Sequence, residues 1–196
     1  MALKRLFDIF VALLGFIVLL PLMAVVALAI RLTSPGPALY GSTRVGLGAA
    51  PFKMIKFRTM VVGADKLGPL VTAGNDSRIT SIGRYLRRTK LDELPTLWNV
   101  LKGDMSIVGP RPENPHSAAL YSDAQKSVWA VRPGVTSLAT LKYRHEESIL
   151  AGHADLEAAY FQIMQDKLAL ELAYINRRSF WLDIQIIFRT IVEVCR

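Results

Sequence analysis

Apolar and polar positions divide the chain into stretches of different period. Ile9 to Ile30 reads IFVALLGFIVLLPLMAVVALAI, 22 residues without a charge, with Lys4 and Arg5 before it and Arg31 after it. At about 1.5 Å per residue a helix of this length can cross a hydrocarbon core about 30 Å thick. Ser34, Pro35, Gly36 and Pro37 then punctuate the chain as a turn. From Phe52 to Met60 the apolar Phe52, Met54, Ile55 and Phe57 alternate with Lys53, Lys56 and Arg58, which predicts a short strand projecting cations from one face. Gly63, Gly68, Pro69, Gly74 and Asn75 predict a loop. Helical spacing resumes with Ile79, Ile82 and Leu86, which predicts a helix over 79–88 with Arg84, Arg87 and Arg88 on another face. Leu94 to Lys102 reads as a second helix stopped by Gly103. Two further helical stretches follow: Leu156 to Tyr174 reads as amphipathic, and the strongly apolar stretch from Ser179 onward offers Trp181, Arg189 and Arg196 as interface anchors.

The N-terminal run admits three readings. It is longer than the apolar region of about 7–15 residues usual in a cleaved signal peptide. A straight spanning helix fits by length, but basic residues flank both ends, and the positive-inside tendency draws both toward one side. Pro21, near the middle, removes a backbone hydrogen bond and favours a kink, with Gly15 as a second weak point. A bent, re-entrant helix satisfies both flanks, and sequence physics leaves it level with the spanning one.

Composition adds that the chain is unusually apolar, at 52% hydrophobic residues and a mean hydropathy of +0.30, as a membrane segment requires. The net charge of +8 is concentrated between residues 44 and 111, where twelve basic residues face five acidic ones, a net +7. Such a concentration suits phosphate-rich ligands or anionic headgroups. The single cysteine, Cys195, excludes a disulfide framework and a cysteine metal site, and fits a reducing compartment. His116, His145 and His153 lack ligand-like spacing.

Candidate chemistry lies in LDELPTLWNVLKGDMSIVGPRPE, Leu91 to Glu113. Asp92 stands three residues before Pro95 and can be read as a helix N-cap. Arg84, Arg87, Arg88 and Lys90 stand just upstream, and these cations with the helix dipole would keep Asp92 ionised and attract phosphate to the same place. Downstream, Gly109 offers a backbone donor and Arg111, between two prolines, a bidentate phosphate clamp. A hard divalent cation could bridge a carboxylate and diphosphate oxygens. Neighbouring carboxylates point about 100° apart on a helix, so Asp92 and Glu93 are expected to have separate roles. One suits a nucleophile, the other a metal, orienting or acid–base group.

On these residues the chain strongly resembles the bacterial sugar transferase family, the monotopic phosphoglycosyl transferases. The likeness rests on Lys4, Arg5, Phe7 and Asp8, on PFKMIKFRTM at 51–60, DSRITSIGRYLRRTKLDELPTLWNVLKGDMSIVGPRPE at 76–113, RPGVT at 132–136 and LDIQIIFRT at 182–190. It covers nearly the whole chain and matches a catalytic core without the extra membrane bundle of larger members. The resemblance implies transfer of a sugar 1-phosphate from a nucleotide diphosphosugar, generally a UDP-sugar, to polyprenol phosphate such as undecaprenyl phosphate. That is the first membrane step of glycoconjugate assembly, releasing UMP. By the same resemblance Asp92 is the nucleophile and a Mg²⁺ ligand, and Glu93 its dyad partner. Arg87 and Arg111 hold phosphate, Lys56 and Arg58 are donor or lipid-phosphate contacts, and Arg88 is a further basic candidate.

The resemblance also tips the N-terminal helix toward the re-entrant form, with Pro21 at its break. The resulting expectation is an α+β, mainly helical chain. Residues 1–32 form the membrane-embedded helix, and residues 33–196 a compact cytoplasmic catalytic domain with amphipathic interfacial helices and a few short strands. It would sit at the bacterial inner membrane, facing the cytoplasm, among membrane lipids and without a nucleic-acid partner; the oligomeric state, a homodimer included, is left open. Two departures stand out. Well-known small members carry Ser before the proline where this chain has Leu20, and many continue after RPGVT with Gly-Trp-Ala-Gln and Asn-Gly-Arg-Asn stretches where this chain reads SLATLKYRHEE. The sugar therefore cannot be carried over. A nucleotide-sugar hydrolase and a basic membrane adaptor are the rival readings.

Overall fold

The computed structural model describes residues 2–68, 76–153 and 155–194. Pro69, Gly74 and Asn75 of the expected loop, and Cys195 and Arg196, lie outside the described residues.

The apolar run forms α1, Ala2–Thr33, one helix assigned through Pro21. The proline removes one hydrogen bond to the Ile17 carbonyl without ending the helix. The globular part follows α1 along its whole length. Near its start Arg5 donates to the Val100 and Leu101 carbonyls, at 2.8 and 3.2 Å, and Asp8 accepts from Ser106 Oγ at 2.7 Å and the Ile107 N–H at 3.2 Å. Lys4 bonds Asp183 at 2.6 Å. Midway, Phe16 meets Trp98 with ring centroids 6.4 Å apart. Farther on, Met23, Val26 and Ile30 pack with Phe57 and Leu86. At its end Ser34 takes two hydrogen bonds from Arg58. The opposite side, including Phe10, Ile17, Val25 and Leu28, is exposed.

Strands β1, Leu39–Val45, and β2, Pro51–Phe57, pair antiparallel from Leu39 opposite Phe57 to Val45 opposite Pro51. β1 was not foreseen, since Gly41, Ser42 and Thr43 give it no alternation. Nor does β2 project its cations from one face. At a period of two, Lys53 and Lys56 point oppositely, Lys53 outward to Thr43 Oγ1 and Lys56 inward. Helix α2, Ser81–Thr89, starts later than expected because Thr80 is its N-cap, its hydroxyl accepting from the Gly83 N–H at 3.0 Å. Helix α3, Thr96–Lys102, ends as expected at Gly103, with φ of 102°.

The two motif segments SIVGP and RPGVT become β3, Ser106–Val108, and β4, Gly134–Thr136, paired parallel. Gly109 and Gly134 make the contact close: a Cβ on Gly109 would lie 2.4 Å from the Arg132 carbonyl oxygen. Short helices α4, Pro115–Ala118, α5, Leu138–Lys142, and α6, Glu146–Leu150, lead to the long α7, Leu156–Arg177, and to α8, Phe180–Val194. The buried stripe of α7 holds Ile163, Met164, Leu168 and Tyr174 together with Lys167 and Glu171. One buried cluster joins Ala12 of α1 to Met54, Val100, Val108, Tyr174 and Ile186. The chain is thus α+β and mainly helical, with few short strands.

Candidate active site

Asp92 owes its position to an abrupt turn. Helix α2 ends at Lys90 in the left-handed conformation, φ 59°, and a 3₁₀ turn, Leu91–Glu93, follows at once. Asp92 does not cap α3, whose first residue follows Pro95 and receives no side-chain cap. The side chain is instead 8% exposed, and its Oδ1 is buried with no hydrogen-bond partner. It faces a cleft of about 1170 Å³, lined also by Lys56, Arg87, Lys90, Glu93 and Arg111.

The two acids have opposite surroundings. Burial first, then the Glu93 charge, push the Asp92 carboxyl up to about 6 against the opposing pull of Lys56, Lys90 and Arg87. The cations and helix dipole expected to keep it ionised are opposed by burial, which raises the carboxyl, and at neutral pH about nine in ten remain ionised. Burial also works against the charge on Glu93. There Arg111 and Lys56 outweigh it and hold the carboxyl well below its usual range. Lys56 Nζ donates to Glu93 Oε1 at 2.6 Å, and Arg111 grips both Glu93 oxygens, at 2.5 and 3.1 Å. Glu93 therefore orients two cations, and Asp92 is left as the carboxylate with an unoccupied lone pair.

The other expected residues separate into three groups. Arg87 lines the cleft, its Nε bonded to Thr59 Oγ1 at 2.9 Å. Arg58 also lines it, but the guanidinium donates to Pro37 O, Ser34 Oγ and Ser34 O at 2.6, 2.7 and 2.9 Å, which makes it a pin on the end of α1. Gly109 and Arg88 do not line the cleft. The Gly109 N–H is taken by the Thr136 carbonyl at 3.1 Å. Arg88 is exposed and lies over the Tyr85 ring, 5.9 Å from its centroid.

Several contributors escaped the sequence reading. Gly83 lets α2 sit on the segment just after β2, where a Cβ would come 2.0 Å from the Thr59 carbonyl oxygen, and the Thr59 hydroxyl there accepts from Arg87 Nε. Glu171 accepts the Arg111 N–H at 3.1 Å and Ser137 Oγ at 2.6 Å, and burial pushes it up to about 7. Lys167, one turn before it, bonds Glu146 at 2.6 Å. The signal available was two charges four residues apart on the apolar stripe of α7. Among the described residues no cluster of three or more His, Cys, Asp or Glu could hold a metal ion by itself.

A carboxylate without partners, set among cations in an open cleft, is equipped for nucleophilic attack on a bound phosphate ester. The comparisons with known proteins agree with this class. The chain is 40% identical over 195 residues to the UDP-glucose:undecaprenyl-phosphate glucose-1-phosphate transferase of Caulobacter vibrioides, covering 96% of this chain and 68% of that one. It is 41% identical over 200 residues to the exopolysaccharide production protein PSS of Rhizobium leguminosarum bv. phaseoli, covering 98% and 95%. It is also 35% identical over 192 residues to the UDP-N-acetylgalactosamine-undecaprenyl-phosphate N-acetylgalactosaminephosphotransferase of Aeromonas hydrophila, covering 96% and 42%. The chain spans less than half the length of several further relatives. A family model described as bacterial sugar transferase matches residues 1–196, and the chain belongs to that family.

Proposed function

We propose that the chain transfers a sugar 1-phosphate from a UDP-sugar to undecaprenyl phosphate through a phosphosugar bound to Asp92. The observation that carries this reading is the buried, partnerless Oδ1 of Asp92 beside the Lys56–Glu93–Arg111 cluster. An Asp92 oxygen attacks the sugar-linked phosphorus, and the bond from that phosphorus to the bridging oxygen breaks, releasing UMP. A phosphate oxygen of the lipid then attacks the same phosphorus and frees the carboxylate. No proton need move in either step, so positioning and charge neutralisation carry the catalysis. Lys56, Arg87 and Arg111 supply cations to the transferring phosphate, and Glu93 holds two of them in register.

The unpartnered Oδ1 of Asp92 at the cleft suits Mg²⁺, which commonly binds through one or two carboxylates plus substrate phosphates. Asp92 would hold it together with the donor diphosphate, and when bound it would neutralise charge developing on the leaving UMP.

Both ends of α1 are fastened to the same globular part, which supports a helix that enters and leaves by one leaflet, with that part at the cytoplasmic face of the inner membrane. The exposed side of α1 and Trp181, Phe188 and Ile191 of α8 form its lipid-facing surface. The test is a purified preparation given radiolabelled UDP-sugars, Mg²⁺ and undecaprenyl phosphate. Label moves into organic solvent only when the lipid is present, and UMP appears in step. Steady release of free sugar phosphate without lipid would establish a hydrolase instead.

A further inference from the structure

The cleft extends past Arg111 into a second polar region built by α6, α7 and the segment after β3. Lys167 Nζ donates to Glu146 Oε1 at 2.6 Å. Its ammonium lies 5.8 Å from the centroid of the Tyr160 ring. The Tyr160 hydroxyl donates to Glu113 Oε2 at 2.9 Å, and Arg44 stands 3.8 Å from the same oxygen. All five line the cleft that Asp92 faces.

Three features assign chemistry to this end. The first is charge. Around Asp92 the cations Lys56, Arg87, Lys90 and Arg111 exceed the two acids, whereas here Lys167 is paired with Glu146 and Arg44 with Glu113, with Arg144 also lining the cleft. A phosphate gains from the former and little from the latter. The second is hydrogen bonding: an ammonium, two carboxylates and a phenol offer donors and acceptors in alternation, as hydroxyl groups require. The third is distance. Lys167 is one helical turn from Glu171, so their Cβ atoms lie about 5–6 Å apart, and Glu171 holds the Arg111 backbone. Glu146 and Glu113 also act on the Arg111 charge, so this region adjoins the Arg111 side of the cleft as a sugar ring adjoins its anomeric phosphate. A buried ion pair adds little to stability against an apolar pair of the same volume, so folding alone gives small reason to place Lys167 on the apolar stripe of α7.

We propose that Lys167, Glu146, Tyr160 and Glu113 form the subsite for the donor's sugar ring, with the Lys167–Glu146 pair reading its hydroxyl groups. The inference rests on the transferase reading above. It follows that Glu146, within the stretch SLATLKYRHEE where the chain leaves the common family pattern, would bear on which sugar is accepted.

The test separates sugar recognition from both catalysis and folding. Affinities of Asp92→Asn protein are measured by calorimetry for UDP and for UDP-glucose, UDP-galactose, UDP-N-acetylglucosamine and UDP-N-acetylgalactosamine. They are then repeated with Lys167→Met, Glu146→Gln or Tyr160→Phe added, and thermal unfolding checks each fold. The expected result is that UDP binding stays within about twofold, while the preference for the best UDP-sugar over UDP falls about tenfold in Lys167→Met or Glu146→Gln. Tyr160→Phe reorders the four sugars. Equal loss of UDP and UDP-sugar affinity, or an unchanged preference in folded variants, overturns the subsite. Failure of the transferase reading registers elsewhere, as absence of lipid-linked product from the wild-type protein.

Discussion

Replacing Asp92 with Asn should abolish transfer and yet make the protein more stable. Folding moves the Asp92 carboxyl from 3.8 to about 6, chiefly by burial. A shift of about two units corresponds to about 3 kcal/mol held against the ionised form. The sign follows from comparing states. Below pH 4 the group is neutral in both folded and unfolded chains, so no penalty exists. Between pH 4 and 6 the unfolded chain loses its proton first, and above pH 6 the folded protein carries the full cost. An amide of the same shape escapes that cost. Asp92→Asn should therefore melt higher than wild type by roughly 6–12 °C at pH 8, taking about 2–4 °C per kcal/mol for a chain of this size. The advantage should shrink through pH 6 and vanish near pH 4. The assay is a pair of thermal unfolding series in detergent from pH 4 to 8, with intact-mass analysis after incubation with donor. The wild type should gain a phosphosugar and the variant none. A variant less stable at pH 8, a pH-independent difference, or a retained adduct would refute the reasoning.

Glu93→Gln should act oppositely, leaving Lys56 and Arg111 without their shared anion at a cost of about 3–5 kcal/mol, read as a lower melting temperature at pH 7. The wild-type contribution of Glu93 is present above about pH 4.5 and is lost only well below it, because the folded carboxyl is depressed. Gly83→Ala should fail to accumulate as folded protein or lose about 3 kcal/mol or more, since its Cβ would meet the Thr59 carbonyl at 2.0 Å; expression yield and melting temperature report it. Arg58→Ala should cost about 2–4 kcal/mol through the unpaired carbonyls of Ser34 and Pro37, and limited proteolysis should then cut near residues 34–37 faster than in wild type.

The sequence disclosed α1, α2, α3, α7 and α8, because long apolar periods, the Gly103 stop and the proline punctuation are local signals. It missed β1, whose Gly41, Ser42 and Thr43 lack alternation, and the parallel β3–β4 pair, whose partners stand 28 positions apart at Ser106 and Gly134. The cations near the acids at 92 and 93 were legible, and the fold gathers Lys56, Arg87, Lys90 and Arg111 with both acids in one cleft. Which of the two acids Lys56 and Arg111 grip was not legible, since that depends on contacts made across the fold. Arg58 shows the same limit. A cation next to the strand end reads as a phosphate contact until the carbonyls of Ser34 and Pro37 are seen to occupy it.

The fastening of α1 at both ends has a practical corollary. Ala12 belongs to one apolar cluster and Met23, Val26 and Ile30 to another, so clipping the first helix to obtain a water-soluble catalytic fragment would remove core, not merely an anchor. Handling in solution must keep that helix and shield its exposed apolar side with an amphiphile. In packing terms the first helix is part of the enzyme body.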